Sequence, residues 1–245
     1  MVTTNAVLDV IARDGRALVA AAASEWARPV PDCPDWDAAG LVRHTGGILA
    51  WMARIVETGE RTSFRSLPPP PEEDAELAAW FLENLERTLT VMRNGDPDRT
   101  VWTFSSLGDH RASWWWRRLG VEMAIHRWDA EYAVAIADGP TPRPLDSAVA
   151  MAGIEEFVAE FLPGLLAQPA AERPSGTLRL HITDVMTDRW LDLDDQGTDL
   201  IGPTEVDTTV RGTASAVLLW LTNRHTDAVV AGDRSLLDAW TALKR

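Results

Sequence analysis

Residues 114–131, WWWRRLGVEMAIHRWDAE, decide how the first half of this chain is read. Trp115, Leu119, Glu122 and His126 follow one another at steps of four, three and four, the spacing that puts side chains on one face of a helix. A carboxylate and an imidazole therefore interrupt an otherwise apolar stripe. Burying a carboxylate is costly unless a cation offsets it, so the pattern asks what Glu122 and His126 face. The spacing predicts a helix from about Asp109 to Ile136.

Three further helices are predicted upstream. The first runs from about Asn5 to Trp26, with Leu8, Ile11, Gly15, Leu18, Ala22 and Trp26 in one stripe, and is ended by Pro29 and Pro31. In residues 31–47, PDCPDWDAAGLVRHTGG, Asp37 can cap the second, with Trp36 as the apolar residue just outside it. Its inner stripe is Leu41, His44, Ile48, Trp51 and Ile55, closed by Thr58 and Gly59. The third follows Pro68 to Pro71 and carries Glu72, Glu73 and Asp74 in its first turn, where negative charge suits the helix dipole. Four amphipathic helices bury their stripes most simply against one another, which predicts a bundle.

In residues 138–146, DGPTPRPLD, alternate prolines stiffen the chain, so the first module is expected to end near Asp138. The division is drawn as 1–140 and 141–245. A helix from Leu145 to Leu162 is expected to stop at Pro163 and Gly164. Residues 175–184, SGTLRLHITD, and 188–194, DRWLDLD, then alternate apolar and polar residues as half-buried strands do. A third short strand near Glu205 to Val210, and helices in residues 211–224 and 234–245, complete the reading. The fold class is multidomain: a four-helix bundle followed by a smaller α+β module.

With 37 acidic residues against 23 Lys plus Arg among 245, the formal net charge is -14, which disfavours nucleic acid and anionic membranes as partners. One cysteine excludes a disulfide framework and a thiolate-rich zinc knuckle. The start carries no basic leader, and apolar runs fall short of the roughly 20 residues a span needs, so a soluble, cytoplasmic protein is expected. There is no dinucleotide or phosphate loop, no serine nucleophile elbow and no His-Glu-x-x-His.

If the second helix faces the fourth, His44 joins Glu122 and His126. Two imidazoles and one carboxylate suit zinc with a fourth position left for water or substrate, and also fit iron or nickel. The competing reading is an ion pair of Glu122 with Arg118 and two histidines hydrogen-bonded in the core. Cys33 reads as a small turn residue and His110 as a surface or capping residue. His181 is placed beside Trp190, and Trp114 and Trp116 are expected to mark contacts with the second module. Asp129 lies one turn below the proposed ligands, with a supporting role or a salt bridge to Arg127 or Arg143.

Residues 33–44, Cys-Pro-x-Trp-x-x-x-x-Leu-x-x-His, and 122–129, Glu-x-x-x-His-Arg-x-Asp, resemble the two metal-ligand regions of the mycothiol-dependent maleylpyruvate isomerase family, part of the wider DinB-like metalloprotein group. TLRLHITD, LLWLTNR and VAGDRSLLDAW are similar to its sterol-carrier-like C-terminal module. The resemblance implies a DinB-like bundle in which His44, Glu122 and His126 bind a divalent metal, usually zinc. It also implies mycothiol or a related low-molecular-weight thiol as cofactor and a small electrophile as substrate. Arg224 matches the arginine that faces the family's active-site cleft, and Arg117 and Arg118 can meet a carboxylate of the thiol or substrate. An isomerase would add the thiol transiently to an activated double bond; a transferase would release the adduct. No segment matches the recognition of maleylpyruvate, so the isomerase name serves as a family label. A metal-stabilised small-molecule binding protein without turnover is the alternative, and a helical interaction protein a further one.

Overall fold

The four stripes at helical spacing become α1 (Thr4–Ala22), α2 (Ala38–Thr58), α3 (Asp74–Asn94) and α4 (Ala112–Ala135) in a computed structural model that describes residues 4–137, 139–167, 173–195, 198–199 and 205–243. Helix α1 packs mainly on α4, and α2 on α3. Leu8, Ile11 and Leu18 of α1, Leu41 and Leu49 of α2, and Phe81 and Leu85 of α3 meet in one buried core. Gly15 lets α1 approach α3, because an added Cβ there would stand 3.0 Å from Leu85 Cδ2.

The second helix starts and stops as its sequence predicts. Asp37 accepts from Gly40 N at 2.7 Å, and Gly59, at φ 79°, closes the last turn with its N–H on Ile55 O. Other ends shift where an extended backbone competes. Helix α1 stops at Ala22, short of Trp26, because Trp26 O accepts from Ala39 N at 2.9 Å and so serves the entry to α2. Helix α3 begins at Asp74, leaving Glu72 and Glu73 outside, where Arg43 holds the carbonyls of Pro71 and Glu72. Helix α4 begins at Ala112 because Thr100 and Arg111 form an antiparallel bridge that keeps residues 109–111 extended. Trp114 and Trp116 are buried in the bundle's own core.

The chain forms two compact units, Met1–Val149 and Ala150–Arg245. Asp138, where the first was expected to end, lies outside the described residues. Residues 143–144 stay with the bundle because buried Arg127 donates to the carbonyls of Arg143 and Pro144, and Glu131 accepts from Arg143 N at 2.9 Å. Helix α5 (Ser147–Glu156) passes through a π turn at Phe157–Phe161 into α6 (Leu162–Leu166). Pro163 therefore opens a helical segment where it was expected to stop one, since a first turn asks for no donor from it.

The second unit holds a mixed five-stranded sheet in the order β3-β2-β1-β4-β5. Its strands are β1 (Thr177–Ile182), β2 (Thr187–Asp192), β3 (Thr198–Asp199), β4 (Thr208–Gly212) and β5 (Val229–Gly232), with β1 and β4 parallel and the other pairs antiparallel. The expected third strand thus lies a few residues later, and β3 and β5 are additional. Leu178, Leu180, Ile182 and Val210 bury one face against α7 (Ala214–Leu221), capped by Thr213. Asp233 caps α8 (Arg234–Ala242), whose Trp240 stacks on Trp220 at 4.8 Å. His181 bonds Asp188 on the neighbouring strand at 2.8 Å, while Arg179 lies over Trp190.

Candidate metal centre

Helices α2 and α4 bring His44, Glu122 and His126 together, each offering one donor atom, and these atoms all lie within 4.8 Å of one another. One carboxylate oxygen organises them. Glu122 Oε1 stands 3.1 Å from His126 Nε2 and 3.4 Å from His44 Nε2. Donors bonded to a tetrahedral zinc at about 2.0–2.1 Å are about 3.4 Å apart, so the two contacts of Glu122 Oε1 match the edges of such a shell, while the two imidazole nitrogens lie within 4.8 Å of each other. Glu122 and His126 are buried, whereas His44 keeps a third of its side chain exposed (33%).

The surrounding side chains divide the work. Arg118, four residues before Glu122, pairs with Oε2 and leaves Oε1 to the histidines, so the ion pair and the convergent trio coexist. Arg117, about 100° round the helix, is exposed and lies 4.0 Å from Asp109. On the far side of the His126 ring, Nδ1 bonds buried Asp129 Oδ2 at 2.9 Å, which holds the ring with Nε2 toward Glu122. Arg127 pairs with Glu131, not with Asp129. The Cys33 thiol approaches Asp129 Oδ2 at 3.8 Å. Arg224 lies in the second unit directly after α7, and its Nη1 donates to Thr222 O at 2.9 Å.

Burial disfavours charge on both buried groups, and their partners outweigh it. Arg118, His126 and His44 hold the Glu122 carboxyl well below the usual carboxylate range. Burial would lower His126, but Asp129 and Glu122 raise it to about 9. Without a metal, a proton on His126 supplies the positive charge that the Glu122 oxygen requires.

One participant was not read as part of the site. The Trp36 ring covers His44 at a centroid distance of 4.5 Å and His126 at 5.9 Å, held by the turn in which Trp36 N bonds Cys33 O and Val30 N bonds Trp36 O. Its signal is the Cys-Pro-x-Trp segment, in which Trp36 reads as the apolar residue just outside α2.

The mycothiol maleylpyruvate isomerase N-terminal domain matches residues 8–131, and the C-terminal domain of that isomerase matches residues 148–239. The chain belongs to the mycothiol maleylpyruvate isomerase family. Comparison with curated proteins gives no match. Among solved structures, the fold is similar to a mycothiol-dependent maleylpyruvate isomerase, at TM-score 0.61 and 15% identity over 95% of each chain. A histidine-to-alanine mutant so described gives TM-score 0.66 and 13% identity, again over 95% of each chain. The family assignment agrees with the bundle and α/β module expected from the sequence. No helix among the described residues is long and apolar enough to cross a membrane.

Proposed function

We propose that the protein is a divalent-metal enzyme, with zinc the expected ion, that uses mycothiol or another low-molecular-weight thiol to isomerise, or transfer the thiol to, a small electrophile. The observation that carries this reading is the convergence of two imidazole nitrogens on one buried carboxylate oxygen. When bound, the cation would supply Lewis acidity that lowers the proton affinity of a thiol. His44, Glu122 and His126 hold it. Arg118 fixes Glu122 through the other oxygen, and Asp129 keeps the His126 Nδ1 proton in place so that Nε2 offers its lone pair. Trp36 shields the histidine faces from water. Glu122 is ionised and engaged, which makes it a ligand rather than a general base. Arg224 holds a substrate carboxylate or developing enolate.

Elemental analysis of untagged protein should find about one divalent ion per chain. Turnover of a panel of activated alkenes should require both metal and thiol. Activity indifferent to metal removal would overturn the reading, and stoichiometric metal with no turnover across the panel would point to a binding protein.

A pH dependence follows from His126. Its proton, held up to about pH 9, must leave before Nε2 can bind a cation, while Glu122 is already ionised. Zinc affinity should therefore rise about tenfold from pH 7.5 to 8.5 and level off above 9, with proton release visible in calorimetry across buffers. A flat profile over that window would show that His126 has already lost its proton there and would overturn its raised proton affinity.

A further inference from the structure

Residues 65–73, RSLPPPPEE, lead from the end of α2 into α3, and the candidate metal centre makes no use of their four successive prolines. Covalent geometry sets the shape of this run. Each ring holds its own φ near −65°, and each proline keeps the residue before it out of the helical region. Leu67, Pro68, Pro69 and Pro70 all precede a proline, so all four are confined to the left-handed polyproline helix, with three residues per turn and about 3.1 Å of rise per residue. Leu67 has its angles, at φ −79° and ψ 153°.

At three residues per turn, Leu67 and Pro70 share one face, Pro68 and Pro71 a second, and Pro69 stands on the third. Leu67 and Pro70 are half-buried, so the first face is turned toward the protein. Pro71 is half-buried too, and its carbonyl accepts from Arg43 Nε at 3.4 Å. Pro68 and Pro69 are exposed and present two adjoining rings to solvent. The four prolines have no N–H to give. Among the described residues, the carbonyls of Leu67, Pro68, Pro69 and Pro70 accept no hydrogen bond. Stiffening the entry to α3 needs only the fixed φ angles and would not require two rings and four carbonyls to stay open. Charge gives the ridge a direction: Arg65 precedes it and Glu72 and Glu73 follow it, all three exposed and, among the described residues, without an ion pair.

We propose that residues 67–71 are a docking segment for a protein domain that reads polyproline helices through a groove of aromatic side chains. The rings of such a groove clasp Pro68 and Pro69, and its indole N–H or hydroxyl groups donate to the open carbonyls. The segment already has its bound shape, so docking orders little new backbone. A carboxylate at the end of the groove that meets Arg65 and a cation at the end that meets Glu72 and Glu73 fix the orientation. None of His44, Glu122 and His126 takes part, so the docking segment stands apart from the enzymatic reading.

The test titrates full-length protein into isolated EVH1, WW and SH3 domains, each isotope-labelled and followed by NMR through the indole N–H of its groove tryptophan. At least one should bind saturably, one domain per chain, with Kd below about 1 mM, and the groove indole should shift most. Pro68→Ala/Pro69→Ala removes both exposed rings and should weaken that binding at least about tenfold. Both positions are exposed, so the helical circular dichroism should be unchanged. Arg65→Glu keeps every proline and should weaken binding at least about threefold, more at low salt than at high. Absence of saturable binding to all three domains, shifts that spare the groove, or wild-type affinity in either variant would overturn the proposal.

Discussion

Replacing His126 by alanine should lower zinc affinity by more than about a hundredfold and bring thiol-dependent turnover to background. The variant removes one of three convergent donors and leaves two buried carboxylates short of a partner. Glu122 Oε1 loses its 3.1 Å contact, and Asp129 Oδ2 loses the Nδ1–H at 2.9 Å. Glu122 Oε1 keeps His44 at 3.4 Å and Asp129 Oδ2 keeps the Cys33 thiol at 3.8 Å, so each loses a partner without being orphaned; a hydrogen bond to a charged group contributes about 1.5–3 kcal/mol, and metal-free stability should fall as well. Asp129→Asn is the informative companion. It keeps the three donors and disturbs only the orientation and basicity of His126, for which a loss of about 10–100-fold in zinc affinity is expected. Competition against a chromogenic chelator reads both. A His126→Ala protein with wild-type zinc affinity would show that the trio is a structural ion-pair cluster and that any bound metal sits elsewhere.

The trio was legible because His44, Glu122 and His126 break apolar stripes at positions where helical periodicity leaves little freedom of direction. The same periodicity located all four long helices of the bundle. It failed at their ends, where a long-range backbone contact competes with the helix: Ala39 N claims the carbonyl of Trp26, and the bridge between Thr100 and Arg111 delays α4. Strand alternation revealed β1, whose buried Leu178, Leu180 and Ile182 recur at every second position, and β2, in which Leu191 alone is buried. It had nothing to read in β5, where Val229 to Gly232 is largely exposed and held by pairing with β4. Trp36 escaped because its place over the histidines depends on the turn before α2, which no period describes.

Arg224→Lys separates a chemical role for this arginine from a local structural one. The residue follows Leu218, Leu219 and Trp220 of α7, its N–H bonds Leu219 O at 2.8 Å, and its guanidinium donates to Thr222 O at 2.9 Å. A lysine keeps the positive charge and the backbone bond, and it retains a donor for a carbonyl, so a capping function should survive. It cannot reproduce the planar pair of donors that fits a carboxylate or an enolate. If that geometry is used mainly in the transition state, kcat/KM should fall by about tenfold to a thousandfold, or about 1.4–4 kcal/mol, with kcat carrying most of the loss. Zinc content and thermal stability should stay at wild-type values, since none of the three proposed ligands is touched. Wild-type efficiency in the lysine variant would confine Arg224 to closing α7. A rise in KM at constant kcat would also reject the transition-state role, because it would mean that the arginine grips substrate and transition state equally.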